Sequence, residues 1–375
     1  MRPNLGWLAA AFVLVAAGLG AVIWMGVIGQ KPKQPSGPYA VKFATTSVTL
    51  KLGDRDAVVP SERRADARTL VVRVGVWLPQ LGATRSDRRD RPLLVYAPGW
   101  GGGYDDNTVL MRTLASHGYS IVAMDDVALD PKAAWATADD EAARLATFDI
   151  GTVERQTQFM EDANRRVELS AVKMRAVLDA IGDSQGHEPL FFRLNLDRVG
   201  AIGASFGGAT AAEASLSDPR IVAVVNFDGL VFGRAATDVV PRPYLEFNAS
   251  LGSVPLSEVE SADLRRRFFA RLNVQQIARQ HRQLDARRDA LNVTIAGVQH
   301  GDFTDALYGT GRIWAWRPWR ERPLRPSRVR ANVDDLAVAF FDAHLRQTDD
   351  TTLRLRDIAM PEMTIERGRG GDSRR

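Results

Sequence analysis

Cysteine is absent from the 375 residues of this sequence. Its absence excludes a disulfide framework, a thiol nucleophile and thiolate sites for zinc or iron–sulfur clusters. It does not identify the compartment, because a chain without thiols is insensitive to redox conditions. A nucleophilic side chain in this protein would therefore carry oxygen rather than sulfur.

A strong charge excess is also missing. Lysine and arginine number 49 against 45 aspartates and glutamates, a net charge of +4. This excess is too small to indicate nucleic-acid binding. Glycine and proline, at 31 and 18 residues, are too few for a collagen-like chain. With 45% hydrophobic residues, the chain can bury a substantial globular core.

The N-terminus carries a long hydrophobic run. Residues Leu5 to Gly29 contain no charged side chain, and as a helix they would span about 37 Å against about 30 Å of hydrocarbon. The run exceeds the apolar part of a cleavable signal peptide, which is about 7–15 residues. We therefore predict a transmembrane or signal-anchor segment over 1–30, a linker over 31–40, and a body exported to the periplasm or cell surface. Secretion after signal cleavage is the alternative.

The body begins with two stretches of alternating polarity, Val41–Leu52 and Thr69–Pro79, which predict antiparallel strands. Short apolar runs then alternate with helical segments, which is typical of a mostly parallel sheet covered by helices on both faces. We expect one mixed α/β domain over 41–350. A C-terminal tail would follow over 351–375, disordered from Arg367 onward.

The strongest motif is Gly-Ala-Ser-Phe-Gly, from Gly203 to Gly207. It follows a predicted strand and precedes a predicted helix, the setting in which G-x-S-x-G forms a sharp turn that exposes a nucleophilic serine. Small residues are needed because the turn brings the strand and the helix close together. Ser205 is the predicted nucleophile.

A serine nucleophile needs a base, and the chain offers five histidines. His300 directly follows the last apolar strand, where folds of this type collect their active groups. The other four lie in a helix end, a polar loop or helices, at His117, His187, His281 and His344. His300 is therefore the predicted general base.

The acid that orients the base is predicted to be Asp228, which ends the apolar strand after the serine motif. The next strand leads into YLEFNASLGSVPLSE, which contains no aspartate. The order Ser205, Asp228, His300 is that of α/β-hydrolases. An aspartate that only caps the following turn is the alternative role.

Two backbone donors would complete an oxyanion hole. The N–H of Phe206 is one candidate, and the glycine-rich loop after LLVYA supplies the other. We predict Trp100, with Gly101 as the competitor, and place Gly99 and Gly101 at the pocket rim. The loop lacks the ending of a phosphate-binding P-loop. The pairs Asp105–Asp106 and Asp125–Asp126 are expected to be solvated carboxylates, and no metal site is predicted.

These segments resemble a known family. LLVYAPGWGGG, GASFGGATAAEA, IVAVVNFDGLVFG and GVQHGDFTD occur in the order seen in the platelet-activating-factor acetylhydrolase-like, or dienelactone-hydrolase-like, branch of the α/β-hydrolases. The likeness spans about Val71 to Leu345. It implies Ser205, Asp228 and His300 as nucleophile, acid and base, with no metal or organic cofactor. The chain departs from the family at Pro98, where a histidine is usual, and a proline cannot supply that imidazole.

The resemblance and the motifs lead us to expect a carboxylic-ester hydrolase that acts on a small-molecule or lipid ester through an acyl-enzyme. Two alternatives are open: an acyltransferase that uses the same residues, and a catalytically silent, membrane-tethered binding protein of the same fold. We expect no nucleic-acid partner. The oligomeric state does not follow from the sequence.

A tryptophan- and arginine-rich segment follows His300. Between Arg312 and Arg330 the chain has seven arginines, one glutamate and three tryptophans. Trp314 and Trp316 are predicted at the rim of the substrate pocket. A membrane-facing surface and a solvated loop whose tryptophans pack on the core are the alternative interpretations.

Overall fold

The computed structural model describes residues 34–51, 69–80, 92–126, 150–192, 194–249, 254–298, 300–305, 326–347 and 360–371. The strands in this part of the chain are β1 (Ala40–Lys51), β2 (Thr69–Gln80), β3 (Pro92–Ala97), β4 (Ser120–Met124), β5 (Asn195–Ala204), β6 (Ile221–Phe227), β7 (Tyr244–Ala249), β8 (Ala290–Ile295) and β9 (Met363–Arg367). The α-helices are α1 (Thr108–Ser116), α2 (Val153–Ser184), α3 (Phe206–Ser215), α4 (Leu256–Val259), α5 (Leu264–Ala286) and α6 (Pro326–Leu345). Short 3₁₀ helices span Arg234–Ala236 and His300–Phe303.

The nine strands form one sheet in the order β1-β2-β4-β3-β5-β6-β7-β8-β9. The six central strands run parallel to one another, in the order β4, β3, β5, β6, β7 and β8. The first two strands and the last one join the sheet antiparallel. This arrangement confirms the predicted mixed, mostly parallel sheet and brings the carboxyl ends of β3, β5, β6 and β8 to one edge.

Helices cover both faces of the sheet. On one face α1 and α6 pack on side chains such as Tyr96, Phe227 and Phe247. On the other face α2 and α3 pack on the alternate residues, including Val95, Ala201 and Val224. Parallel strands are apolar throughout because both of their faces are buried. This is why short apolar runs in the sequence predicted these strands.

Helix α5 has a buried face that its composition does not indicate. Its sequence is rich in arginine, which is typical of a solvated surface helix, yet one face of α5 is buried against the sheet. Arg279 forms an ion pair with Glu246 of β7, and Gln280 donates to the same carboxylate at 2.9 Å. Since each buried charge has a charged or hydrogen-bonding partner, this polar face can lie inside the protein.

Strand β9 corrects the predicted tail. Residues 363–367 pair with β8 along five register positions, so the sheet extends beyond the predicted boundary at residue 350. The prediction of disorder from Arg367 onward is also wrong for its first residues. The N–H groups of Gly368 and Arg369 donate to carbonyls of Ala290 and Leu284.

Several predicted segments lie outside the described residues: the anchor at 1–30, the start of the linker, and Trp314 and Trp316. The last part of the tryptophan- and arginine-rich segment is described and begins α6. There Arg330 is buried and paired with Asp334 at 2.7 Å, so it is not part of a solvated loop. Within the described ranges, no helix has both the length and the hydrophobicity needed to cross a membrane.

Candidate active site

Ser205 lies in a sharp turn between β5 and α3. Its backbone has φ 54° and ψ −126°, a conformation that residues with a side chain rarely adopt. The turn holds because the Ser205 N–H donates to the carbonyl of Phe227 at 2.8 Å and Gly208 N–H donates to the Ser205 carbonyl at 2.9 Å. The strained turn thus presents the serine hydroxyl at the carboxyl edge of the sheet, as the motif predicted.

The two flanking glycines are required by close backbone contacts. A β-carbon at Gly203 would lie 2.2 Å from the carbonyl of Gly207, and one at Gly207 would lie 1.9 Å from the carbonyl oxygen of Ala97. Carbon and oxygen atoms cannot approach so closely. The glycines therefore let α3 start directly against the ends of β5 and β3.

His300 connects Ser205 to Asp228 through two hydrogen bonds. Its Nε2 lies 2.8 Å from Ser205 Oγ, and its Nδ1 lies 2.7 Å from Asp228 Oδ2. The sequence prediction selected these three residues from the ends of three different strands, and the structure brings them together. The imidazole can accept the serine proton at Nε2 when Nδ1 carries the hydrogen that Asp228 binds.

The Asp228 carboxylate is held on both oxygens. Oδ2 faces His300, and Oδ1 accepts the N–H of Ala249 at 2.7 Å. The backbone of Asp228 has a positive φ of 53°. Asn226 stabilises the turn that follows, because its side chain accepts from the N–H of Gly229 and donates to the Gly229 carbonyl.

The surroundings of His300 change its proton affinity. Desolvation lowers its pKa, but the hydrogen bond to Asp228 and the charge of that carboxylate outweigh desolvation, and the net pKa lies above the ordinary histidine value. The side chain is 58% exposed, while that of Asp228 is 10% exposed. The imidazole is thus open to substrate and water on one side and anchored to a buried carboxylate on the other.

The glycine-rich loop after β3 lies next to Ser205. A β-carbon at Gly99 would lie 3.4 Å from that of Ser205, so there is room for little more than a methyl group between the loop and the nucleophile. The Gly99 N–H donates to Asp106 Oδ2 at 3.2 Å, and the Gly101 N–H donates to Asp126 Oδ2 at 2.6 Å. Gly101, the competing oxyanion donor, therefore has its N–H bound to a carboxylate.

Phe206 is the first residue of α3. Its N–H has no carbonyl one turn earlier in the helix to bind, and the positive end of the helix dipole lies at the same place. The ring of Phe206 makes an edge contact with that of Trp100, with centroids 4.9 Å apart. The two predicted oxyanion residues therefore pack against each other although they follow different strands.

Two carboxylates next to this loop could not be recognised from the sequence as part of the site. Asp125 and Asp126 were expected to be solvated, but both are buried at the end of β4. Asp125 accepts from Arg73 at 3.0 Å and from the N–H of Tyr104 at 2.8 Å. Only their position after an apolar strand signalled that they belong to the same sheet edge as the site.

Asp106 is a third carboxylate whose role the sequence did not reveal. Tyr96 donates to its Oδ1 at 2.5 Å, and its main-chain carbonyl accepts the N–H of Asp305, five residues after His300. Desolvation raises the pKa of Asp106 to about 7, although the hydrogen bonds from Tyr96 and Gly99 act to lower it. Asp106 thus connects the glycine-rich loop to the histidine loop.

An aromatic cluster packs beside the nucleophile. The ring of Trp100 stacks on that of Phe159 from α2, and Phe159 also contacts Phe232 and Phe268. The described residues contain no group of three or more histidine, aspartate or glutamate side chains arranged to hold a metal ion. The predicted rim residues Trp314 and Trp316 lie outside the described residues.

Comparison with known proteins finds that this chain is similar to esterases. The platelet-activating factor acetylhydrolase of Canis lupus familiaris is 22% identical over 240 residues, which cover 59% of this chain and 50% of that protein. A probable 1-alkyl-2-acetylglycerophosphocholine esterase of Arthroderma benhamiae is 25% identical over 171 residues, covering 44% of this chain and 40% of that protein. The chain spans half or less of these curated relatives. No protein-family model matches it.

A solved structure shares the fold. The ferulic acid esterase from Streptomyces cinnamoneus has a TM-score of 0.62 and 21% identity, and the match covers 90% of this chain and 100% of that chain. The sequence matches show that this chain is distantly similar to platelet-activating factor acetylhydrolases, and the solved structure shows that it shares the fold of that esterase.

Proposed function

We propose that the protein is a serine carboxylic-ester hydrolase. The observation that carries the proposal is the continuous hydrogen-bonded chain from Ser205 Oγ through His300 to Asp228, with distances of 2.8 and 2.7 Å. A serine hydroxyl is a weak nucleophile until a base removes its proton, and this geometry supplies the base and its orienting acid.

In the proposed reaction, His300 Nε2 takes the proton of Ser205 as Oγ attacks the ester carbonyl carbon. The carbonyl oxygen becomes an oxyanion that accepts hydrogen bonds from the N–H groups of Phe206 and Trp100. The C–O bond to the alcohol then breaks, and His300 gives its proton to the departing oxygen. Water, activated by the same imidazole, releases the acid from the acyl-enzyme and restores Ser205.

The substrate class proposed for this chain is a small-molecule or lipid ester with a short acyl group. One curated relative is named as an acetylhydrolase of platelet-activating factor, and the other as a probable esterase of 1-alkyl-2-acetylglycerophosphocholine. The protein of the solved structure is named for a different class of ester, that of ferulic acid. Both classes share a carboxylic ester, the bond that the Ser205–His300 pair would attack.

Steady-state hydrolysis by the full-length protein tests this proposal. The substrates are p-nitrophenyl esters of increasing acyl length, an acetylated ether phospholipid and methyl ferulate, each with wild-type protein and Ser205→Ala. We expect turnover of short acyl esters, and a loss of about 10⁴-fold or more in Ser205→Ala. Undiminished turnover in this variant would reject the proposal.

Ser36→Ala is the matched control. Ser36 Oγ also lies within hydrogen-bond distance of a histidine, at 3.1 Å from His117 Nε2. We expect this variant to keep full turnover, because Ser36 is not in the strained turn after β5. A loss in Ser205→Ala alone therefore reports on the site and not on serine–histidine pairs in general.

A further inference from the structure

We propose that Arg166 and Asp126 are positioning residues that hold the two oxyanion donors, Trp100 and Phe206, in register beside Ser205. The inference rests on the proposed ester hydrolysis and names the side chains that set its oxyanion geometry. Neither residue belongs to the serine motif or the glycine-rich loop.

Asp126 binds the glycine-rich loop after β3 through both its backbone and its side chain. Its N–H donates to the carbonyl of Gly102 at 3.0 Å, and its Oδ2 accepts the N–H of Gly101 at 2.6 Å. The side chain is 6% exposed. Because a buried carboxylate needs its hydrogen bonds, Asp126 fixes the peptides immediately after Trp100.

Arg166 of α2 contacts the same carboxylate and both aromatic rings. Its Nη2 donates to Asp126 Oδ2 at 2.6 Å. The guanidinium carbon lies 4.4 Å from the ring centroid of Trp100 and 5.8 Å from that of Phe206. A planar cation is attracted to aromatic faces, so one side chain reaches both oxyanion residues and the carboxylate that holds their loop.

The pairing of Trp100 with Phe206 needs such a connection. Trp100 lies in the loop after β3 and Phe206 begins α3 after β5, so their N–H groups are positioned by two separate parts of the chain. Arg166 Nε is buried and has no hydrogen-bond partner among the described residues. The guanidinium contacts Asp126 through Nη2 and lies over the two rings. Loss of the guanidinium would free the Trp100 loop to shift relative to α3.

Removal of Arg166 still leaves Asp126 with a nearby cation. Lys173 is buried in α2, and its Nζ lies 3.9 Å from Asp126 Oδ1 while it donates to the carbonyl of Asp125 at 2.8 Å. The carboxylate is therefore not left without a positive neighbour in Arg166→Met. This variant is accordingly expected to fold.

The test is steady-state kinetics of the full-length protein with p-nitrophenyl acetate. For Arg166→Met we expect kcat to fall about 10- to 100-fold, since small displacements of a catalytic group cost rates of this order. KM should stay within about threefold, because the substrate is not bound by Arg166. Asp126→Asn should lower kcat in the same way, and the double variant should lose less than the product of the single losses, since both act through one contact.

Arg73→Met is the matched control. Arg73 pairs with Asp125, the neighbour of Asp126, at 3.0 Å, and its side chain is 62% exposed. This variant also removes an arginine–aspartate pair at the end of β4, but one that holds Tyr104 and not Gly101. We expect its kcat to stay within about twofold of the wild type.

Arg166→Lys is a second variant that keeps the proposal testable if Arg166→Met does not fold. It keeps the positive charge and removes only the planar group over the rings. We expect a smaller loss in kcat with the same KM. The proposal is overturned if Arg166 variants that melt like the wild type lose no more kcat than Arg73→Met. A loss confined to KM, or strictly multiplicative losses in the double variant, would also overturn it. Ser205→Ala distinguishes failure of this proposal from failure of the proposed function. Turnover that survives in Ser205→Ala refutes the hydrolase proposal itself.

Discussion

At the scale of single residues, the site depends on how Asp228 changes the pKa of His300. The carboxylate accepts the Nδ1 hydrogen at 2.7 Å and raises the pKa of the imidazole, against a desolvation effect that lowers it. The neutral imidazole is the form that accepts a proton from Ser205. Activity should therefore require a pH above the raised pKa of His300.

The first prediction concerns the acid limb of the pH profile. The kcat/KM of the wild type should fall as pH decreases through the pKa of His300, which lies above the ordinary value of about 6.5. Asp228→Asn removes the charge that raises this pKa, so the limb should move to lower pH. The maximum rate should fall by up to about 10⁴-fold, because an amide does not hold the imidazole in the required tautomer. An unmoved limb in Asp228→Asn would show that another group carries the titration.

At the scale of secondary-structure elements, the site depends on how closely α3 starts against the sheet. Gly207 lies where the first turn of this helix meets the end of β3. Close by, Gly99 of the loop after β3 lies beside Ser205. Substitution of Gly207 should therefore disturb both the packing of the helix and the oxyanion geometry.

The second prediction is that Gly207→Ala destabilises and inactivates the protein. Its methyl group would lie 1.9 Å from the carbonyl oxygen of Ala97, which is part of the backbone and cannot rotate away. We expect the free energy of unfolding to fall by about 1–3 kcal/mol, measured by urea denaturation, together with a loss of ester turnover. Gly186→Ala is the control, because a β-carbon there meets no atom within 4 Å. Equal stability of the two variants would contradict the close contact.

Elements with a clear hydrophobic pattern could be predicted from the sequence. The apolar strands, the serine turn and the order Ser205, Asp228, His300 follow from local patterns and the rule that parallel strands end at one edge. The arginine-rich α5 could not be predicted as buried, because its partners, including Glu246, come from another part of the chain. Asp106 and Asp126 were missed for the same reason: a buried carboxylate and a solvated one look alike in sequence.

At the scale of the whole molecule, one continuous sheet connects the site to the chain termini of the described region. Strand β9 covers the edge of β8, and β8 leads directly to His300. Ile365 of β9 packs partly buried against the main core, while the neighbouring Thr364 is exposed. The alternation of buried and exposed side chains in β9 covers only five residues and lies beside a charged tail. This pattern is too short to predict a strand from the sequence.

The third prediction tests whether β9 is part of the folded domain. Ile365→Asp should lower the free energy of unfolding by about 1–2 kcal/mol, since it places a charge among partly buried apolar side chains. Thr364→Asp puts the same residue on the exposed side of the strand and should change stability by no more than about 0.5 kcal/mol. Thermal or urea unfolding of both variants measures the difference. Equal effects would show that β9 does not pack on the core.

The most direct measurement is the site of covalent labelling by a fluorophosphonate, identified by peptide mass spectrometry of the full-length protein. The proposed chemistry predicts one label per chain, on the peptide that contains Ser205, and a large loss of labelling in His300→Ala. This result would show that Ser205 is a nucleophile activated by the neighbouring imidazole. An enzyme that turns over esters but is labelled elsewhere, or that is not labelled at all, would contradict the assignment of Ser205.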